Sequence, residues 1–219
     1  MWLPIKPAPP VTQMVELMSY PPVLARDFYK RTTEVVAREL LGKLLVRSDS
    51  DGEVVVRLTE VESYLGIDDP ACHTFGGRRT PRTETMWGEA GHAYIYLIYG
   101  LHNCLNVVTV GPGQPEAVLI RGCVVEKGLE LVRARRGPRV GERSLTNGPG
   151  KLCQALAISR LNDGADLFAP GSALRICDDG FRIPEDRVQR LPRIGVDYAG
   201  EAASWPLRFQ IETSGTSSI

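Results

Sequence analysis

The stretch from Leu58 to Arg121 concentrates side chains able to do acid/base chemistry beside a flat ring. It holds Glu60 and Glu62 in LTEVESY, tyrosines at 64, 94, 96 and 99, a histidine at His73, and an arginine-rich turn, GGRRTPR, from Gly76 to Arg82. A carboxylate on a rigid strand that runs into a long loop is well placed to act as a general base on water. The strand fixes the oxygen and the loop shapes access to it. Glu62 is the first candidate, and Glu60, on the same face by alternation, competes with it. A salt-bridged strand glutamate is the plain alternative for either.

Tyrosines suit strands, and cross-strand packing accounts for any one of them. Alternation puts Tyr94 and Tyr96 on one face and turns Tyr99 the other way near a hairpin tip, so that one face can line a pocket while the tip residue projects. His73 follows Cys72 in a polar loop, where a structural histidine is the alternative to a functional one. No second histidine or cysteine stands at ligand spacing, and no metal is expected. Asp68-Asp69 reads as turn and capping chemistry. GGRRTPR, with Arg78, Arg79 and Arg82 on a flexible backbone, suits contact with phosphates but matches neither a P-loop nor a dinucleotide fingerprint. The cluster from Arg133 to Arg143 reads as a solvated helix face. NGPGKLCQAL sets Lys151 at a helix start, either a generic anion site or a packing turn.

The elements that must position these residues follow from local pattern. KLLVR and EVVVRLTEVESY flank an Asp-Gly signal and predict a hairpin. In its second strand, period two places Val54, Val56, Leu58, Glu60, Glu62 and Tyr64 on one face. Leu65 to Gly91 shows no sustained period and reads as a long structured loop, a kind usually tied to function. HAYIYLIYG, CLNVVTV and AVLIRGCVV are three further strands. TTEVVARELLG is a short amphipathic helix carrying Val35, Val36, Leu40 and Leu41, stopped at Gly42. KGLELVRARR is a second helix, and NGPGKLCQALAIS a glycine-rich turn feeding a third. ALRIC and PLRFQIE supply short strands near the end. Hairpins with separated helices indicate α+β with a mainly antiparallel sheet.

A chain of 219 residues suits a single compact domain. Lys+Arg and Asp+Glu each number 26, so a polyanionic partner would have to be met by local arginine clusters. Five scattered cysteines without a C-x-x-C pair favour a reducing compartment over a disulfide framework. No segment approaches the roughly 18 to 20 apolar residues of a membrane span, so a soluble, cytoplasmic protein is expected. Residues 1–22 carry six prolines and read as an extended or mobile leader, with the folded domain at 23–219.

Taken together, VESYLG, DDPACHTFGGRRTPR, MW, YIYLIYGLHNCLN, VLIR and NGPGKLCQALAI closely resemble the alkyladenine DNA glycosylase family, the 3-methyladenine DNA glycosylases of the alkylpurine type. The resemblance runs from about Leu24 to Phe209 with the motifs in one order. It implies a curved antiparallel sheet with surrounding helices and a protruding hairpin. It also implies a monofunctional enzyme that flips damaged purines, alkylated or deaminated, out of duplex DNA and hydrolyses the N-glycosidic bond, leaving an abasic site for base excision repair.

By the same resemblance Glu62 activates the attacking water and Arg121 helps position it. Tyr64, His73 and Tyr96 wall the extruded base, and Leu119 adds to the pocket wall. Asn106 disfavours guanine by crowding its amino group, and Tyr99 fills the gap left in the duplex. Arg78, Arg79, Arg82 and Lys151 contact the DNA backbone. The implied partner is double-stranded DNA containing damaged purines, met by a monomer without cofactor. His102 and Asn103 stand where vertebrate members carry aromatics, and His92 replaces a small polar residue. A non-catalytic nucleic-acid-binding module and a hydrolase of free nucleosides are the competing readings; the first has no need of Glu62, and the second none of Tyr99 and the arginines.

Overall fold

A computed structural model of the chain describes residues 21–212. The Pro-rich leader expected at 1–22 lies outside them except for Pro21 and Pro22. The Pro22 carbonyl accepts a hydrogen bond from Asp178 N at 2.9 Å, and Val23 bridges to Cys177, so the chain is tied to the sheet from there onward.

The valine- and leucine-rich runs form the expected hairpin of β1 (Leu44–Asp49) and β2 (Gly52–Tyr64). Gly52 takes the positive φ of 136° that its turn requires. A meander follows in β3 (Ala93–Ile98), β4 (His102–Gly111) and β5 (Gln114–Lys127). Three short strands complete the sheet: β6 (Leu174–Cys177), β7 (Val188–Leu191) and β8 (Arg208–Ile211). Every strand pairing is antiparallel, in the order β3-β4-β5-β2-β1-β6, with β8 joining β2 and β7 joining β8. The result is a curled antiparallel sheet in an α+β fold.

Helices α1 (Arg26–Tyr29), α2 (Thr33–Leu40), α3 (Leu129–Arg136) and α4 (Pro149–Ala155) accompany it. In α2, Val36, Ala37 and Leu40 are buried while Val35 faces solvent, so the helix applies a narrow stripe to the sheet. α1 and β7 are additions to the pattern expected from sequence. None of the helices among the described residues is long and apolar enough to cross a membrane.

β2 departs from period two. Leu58 pairs with Cys123 and Glu60 with Gly122, leaving Thr59 as an extra residue; on the facing strand Arg121 is the extra residue before Val61 meets Ile120. This double irregularity inverts both strands. Val54, Val56, Leu58 and then Val61 enter the main core, as do Val118, Ile120 and Cys123. Glu60, Glu62 and Tyr64 therefore do not continue the apolar face of the strand's first half, as strict alternation predicts; they lie on the opposite side. The edge of β2 changes partner in the same region, from β1 to β8.

The two sheet faces have separate tasks. One packs Ile95, Leu105, Val107, Val118 and Ile120 with α2 and α4, each buried side chain contributing about 1.5–3 kcal/mol. The other carries Tyr94, Tyr96, Val108 and Ala117 with Cys72 and Met86 from the long loop. That loop is ordered by short 3-10 turns at Gly66–Asp68, Phe75–Gly77 and Glu84–Trp87, and Thr74 Oγ1 ties it to the Pro115 carbonyl at 3.1 Å.

Candidate active site

The second sheet face forms the floor of a cleft of about 510 Å³. Tyr64, His73, Tyr96, Tyr99, Asn106, Leu119 and Arg121 all border it, so residues from β2, the long loop, β3, β4 and β5 meet at one opening. The long loop supplies one wall, the segment around Ile194 to Tyr198 another, and Pro149 and Gly150 at the start of α4 close the side beneath the hairpin.

Glu62 lies directly behind this lining and is fully buried. Its Oε1 accepts from the Ile194 backbone N–H at 2.8 Å, and its Oε2 accepts from the Tyr64 hydroxyl at 2.9 Å. Arg121 Nη1 stands 3.4 Å from the same Oε2. All three of these neighbours face the cleft. Burial pushes the Glu62 carboxyl above the usual glutamate range, and the nearby Glu60 adds to the rise. The Arg121 charge, the Ile194 N–H and the Tyr64 hydroxyl oppose it. Such a carboxylate is more basic than an exposed one and is already oriented.

Glu60 is distinguished from it by its partners. Its Oε1 takes Arg208 Nη1 at 2.9 Å and Arg121 Nε at 3.4 Å, and it does not border the cleft. It is the salt-bridged glutamate, and it steadies the arginine that touches Glu62.

The aromatic wall is interlocked. His73 meets the Tyr96 ring edge-on at 4.5 Å with an 85° interplanar angle, and its Nδ1 is 3.0 Å from the Tyr94 hydroxyl. Burial first, then the Arg82 and Arg78 charges, lower the His73 pKa to about 4. The imidazole is neutral at pH 7, with one nitrogen a donor and the other an acceptor. Burial raises the Tyr64 and Tyr96 phenols well above their ordinary range, keeping both neutral. The Arg82 guanidinium lies 5.0 Å from the Tyr96 ring centre.

Asn106 Nδ2 donates to the Tyr94 carbonyl at 3.0 Å, which fixes its amide on the cleft floor opposite Leu119 in the β4–β5 register. Tyr99 occupies the β3–β4 turn with φ 53° and is 84% exposed. A left-handed backbone is costly for a tyrosine, and here it accompanies a side chain held out into solvent at the hairpin tip. Below the tip, Gly150 passes so close to His102 that a Cβ there would come within 2.9 Å of the histidine's own, which accounts for a glycine at this place.

The basic residues divide. Arg79 is committed to Glu84 at 2.5 Å and stacks on Trp87, whereas among the described residues Arg78 and Arg82 have no carboxylate at salt-bridge distance. All three are exposed, as is Lys151, whose Nζ reaches Asn147 Oδ1 at 2.9 Å. The Arg133–Arg143 cluster is not simply a solvated face. Arg133 pairs with Glu142, Arg135 with Asp49 and Asp51, and Arg136 bonds Gln154 and two backbone carbonyls.

Sequence pattern does not anticipate the segment from Pro192 to Tyr198. Its contribution to Glu62 is a backbone N–H, which carries no side-chain signature. Asp69 performs the expected turn chemistry, accepting from Leu65 N and Ala71 N at 3.0 Å, and also pairs with Arg193.

The chain has clear relatives in sequence. A chain from Bdellovibrio bacteriovorus named "Putative 3-methyladenine DNA glycosylase" is 47% identical over 190 residues, covering 86% of this chain and 95% of its own length. Relatives with the same name from Methanocella arvoryzae and Desulfitobacterium hafniense are 47% and 43% identical, covering 88% and 87% of this chain and 94% and 96% of their own. The class is that of DNA glycosylases, hydrolases acting on N-glycosyl bonds. Within it, the family model for methylpurine-DNA glycosylase matches residues 27–215, and the chain belongs to that family.

Proposed function

We propose that the chain removes alkylated and deaminated purines from duplex DNA by hydrolysis of the N-glycosidic bond, after the nucleotide has rotated out of the stack into the aromatic cleft. The observation that carries this reading is the buried Glu62 carboxylate, held by Tyr64, Ile194 and Arg121 immediately behind a cleft walled by His73 and Tyr96.

Water attacks C1′ of the target nucleotide, Glu62 takes a proton from that water, and the bond from C1′ to the purine nitrogen breaks with its electrons going to the base. Alkylated purines such as 3-methyladenine and 7-methylguanine carry positive charge. They stack well between electron-rich rings and leave as neutral bases. For neutral lesions such as hypoxanthine, the neutral His73, whose Nδ1 is taken by the Tyr94 hydroxyl, offers its Nε2 to the base edge. Asn106 crowds a guanine amino group, and Leu119 completes the wall. The exposed Tyr99 enters the duplex where the nucleotide has left. Arg78 and Arg82, with Lys151, hold the phosphate backbone, and Arg79 contributes less because Glu84 occupies it.

No lysine lines the cleft among the described residues, which favours direct attack by water over an amine-linked intermediate and strand nicking. The enzyme acts as a monomer in the cytoplasm, at the DNA. Duplexes containing 3-methyladenine, 7-methylguanine, hypoxanthine or ethenoadenine, incubated with the protein and then treated with alkali, are expected to show cleavage at the lesion for at least one of them. Without alkali the strands should stay intact. No release from any lesion would refute the reading.

A further inference from the structure

Asp69 and Arg193 form an ion pair whose side chains are both completely buried. The two guanidinium Nη atoms meet the two carboxylate oxygens at 2.5 and 2.8 Å. Neither residue is needed to bind a base, and a buried pair is weak support for stability on its own, since an apolar pair of similar size often serves as well. Its connections explain its presence better. Asp69 also accepts from Leu65 N and Ala71 N, which fixes the start of the long loop that carries His73. Arg193 donates to the Ser63 carbonyl at 3.0 Å and to the Ala202 carbonyl at 3.3 Å, and its guanidinium lies 4.8 Å from the Tyr64 ring centre. The next residue, Ile194, delivers its N–H to Glu62. Tyr198, four residues on, closes the same clamp by donating to the Ala71 carbonyl at 3.1 Å.

We propose that Asp69 and Arg193 are positioning residues for Glu62: their pair locks the loop after β2 to the segment 192–202, holding the Ile194 N–H on one carboxylate oxygen and the Tyr64 hydroxyl on the other. This rests on Glu62 being the base. The clamp reaches the carboxylate through two donors that stabilise its charged form. The other groups facing Glu62 lie elsewhere: Arg121 on β5, Glu60 on β2, Cys104 on β4 and Arg208 on β8. None of these four is held by Asp69 or Arg193. The Arg193 charge also bears directly on Glu62, so Arg193→Lys and Asp69→Asn, which keep that charge, are the variants that isolate the effect through Ile194 and Tyr64.

The test compares Arg193→Lys, Asp69→Asn, the paired Arg193→Met with Asp69→Asn, and Glu62→Gln. Single-turnover release from a duplex carrying one 7-methylguanine is followed between pH 5 and 9 alongside thermal unfolding. The clamp variants are expected to release the base about 100-fold more slowly, the scale of a misplaced reacting group. The acidic limb of their rate profile moves upward by about one pH unit, because an N–H donor to the charged carboxylate is weakened. The paired variant regains thermal stability yet keeps both defects, and it carries the test where a single variant does not fold. Folded clamp variants with the wild-type limb, whatever their rate, overturn the positioning role while leaving an inactive Glu62→Gln to uphold the base. Full activity in Glu62→Gln overturns the base itself.

Discussion

The Tyr64 hydroxyl donates to Glu62 Oε2 at 2.9 Å, and both residues share the face of β2 created by the irregularity at Thr59. A residue that borders the cleft is thus also a hydrogen-bond partner of the proposed general base. Tyr64→Phe keeps the ring and deletes the donor. The bond favours the charged carboxylate, so its loss raises the Glu62 pKa further. Release is expected to fall about tenfold at pH 6 and little at pH 9, consistent with one hydrogen bond to a charged group. A uniform loss across pH would contradict this coupling.

His73 gives a second pH signature, in stability. Its pKa is lowered from 6.5 to about 4 in the folded chain, so the unfolded chain binds the proton more tightly. Stability is therefore full above pH 6.5 and declines as pH falls towards 4, by on the order of 3 kcal/mol from this residue. Denaturant unfolding at stepped pH should show the decline, and His73→Gln should flatten it. An imidazole proton resonance that titrates near 6.5 would contradict the assignment.

The arginines of GGRRTPR should differ in DNA binding. Arg78 and Arg82 have no carboxylate to leave among the described residues, whereas Arg79 would have to leave Glu84. Removing Arg78 and Arg82 together is expected to lower the slope of log affinity against log salt by about 2, and removing Arg79 to change it by close to zero. Equal effects from all three would show that the Arg79–Glu84 pair opens on the duplex.

The elements that local sequence controls were legible: the Asp-Gly hairpin, the tyrosine-bearing meander, and the helices that end at Gly42 and Gly137. The face on which Glu62 lies was not, because period two was carried through Thr59. The contrary signal was the three-residue spacing from Leu58 to Val61, matched by Ile120 and Cys123 on β5, all four of which reach the core. The resemblance named the cleft residues through their motifs. It could not reveal that Ile194 holds Glu62 from 132 residues away, since a backbone donor leaves no mark in composition or spacing. β7 was missed because it is a short strand with two exposed residues at its centre and no alternation.

The most direct measurement is single-turnover release of 7-methylguanine from duplex DNA by the wild-type chain and by Glu62→Gln, with folding and DNA affinity measured on the same samples. Burial raises the Glu62 pKa, so the charged carboxylate costs the fold stability that is present at low pH and lost as pH rises through that pKa. The glutamine variant should therefore be at least as stable as wild type at neutral pH, bind the duplex equally well, and release the base at least about 100-fold more slowly. A stable, DNA-binding Glu62→Gln that releases the base at the wild-type rate would contradict the account.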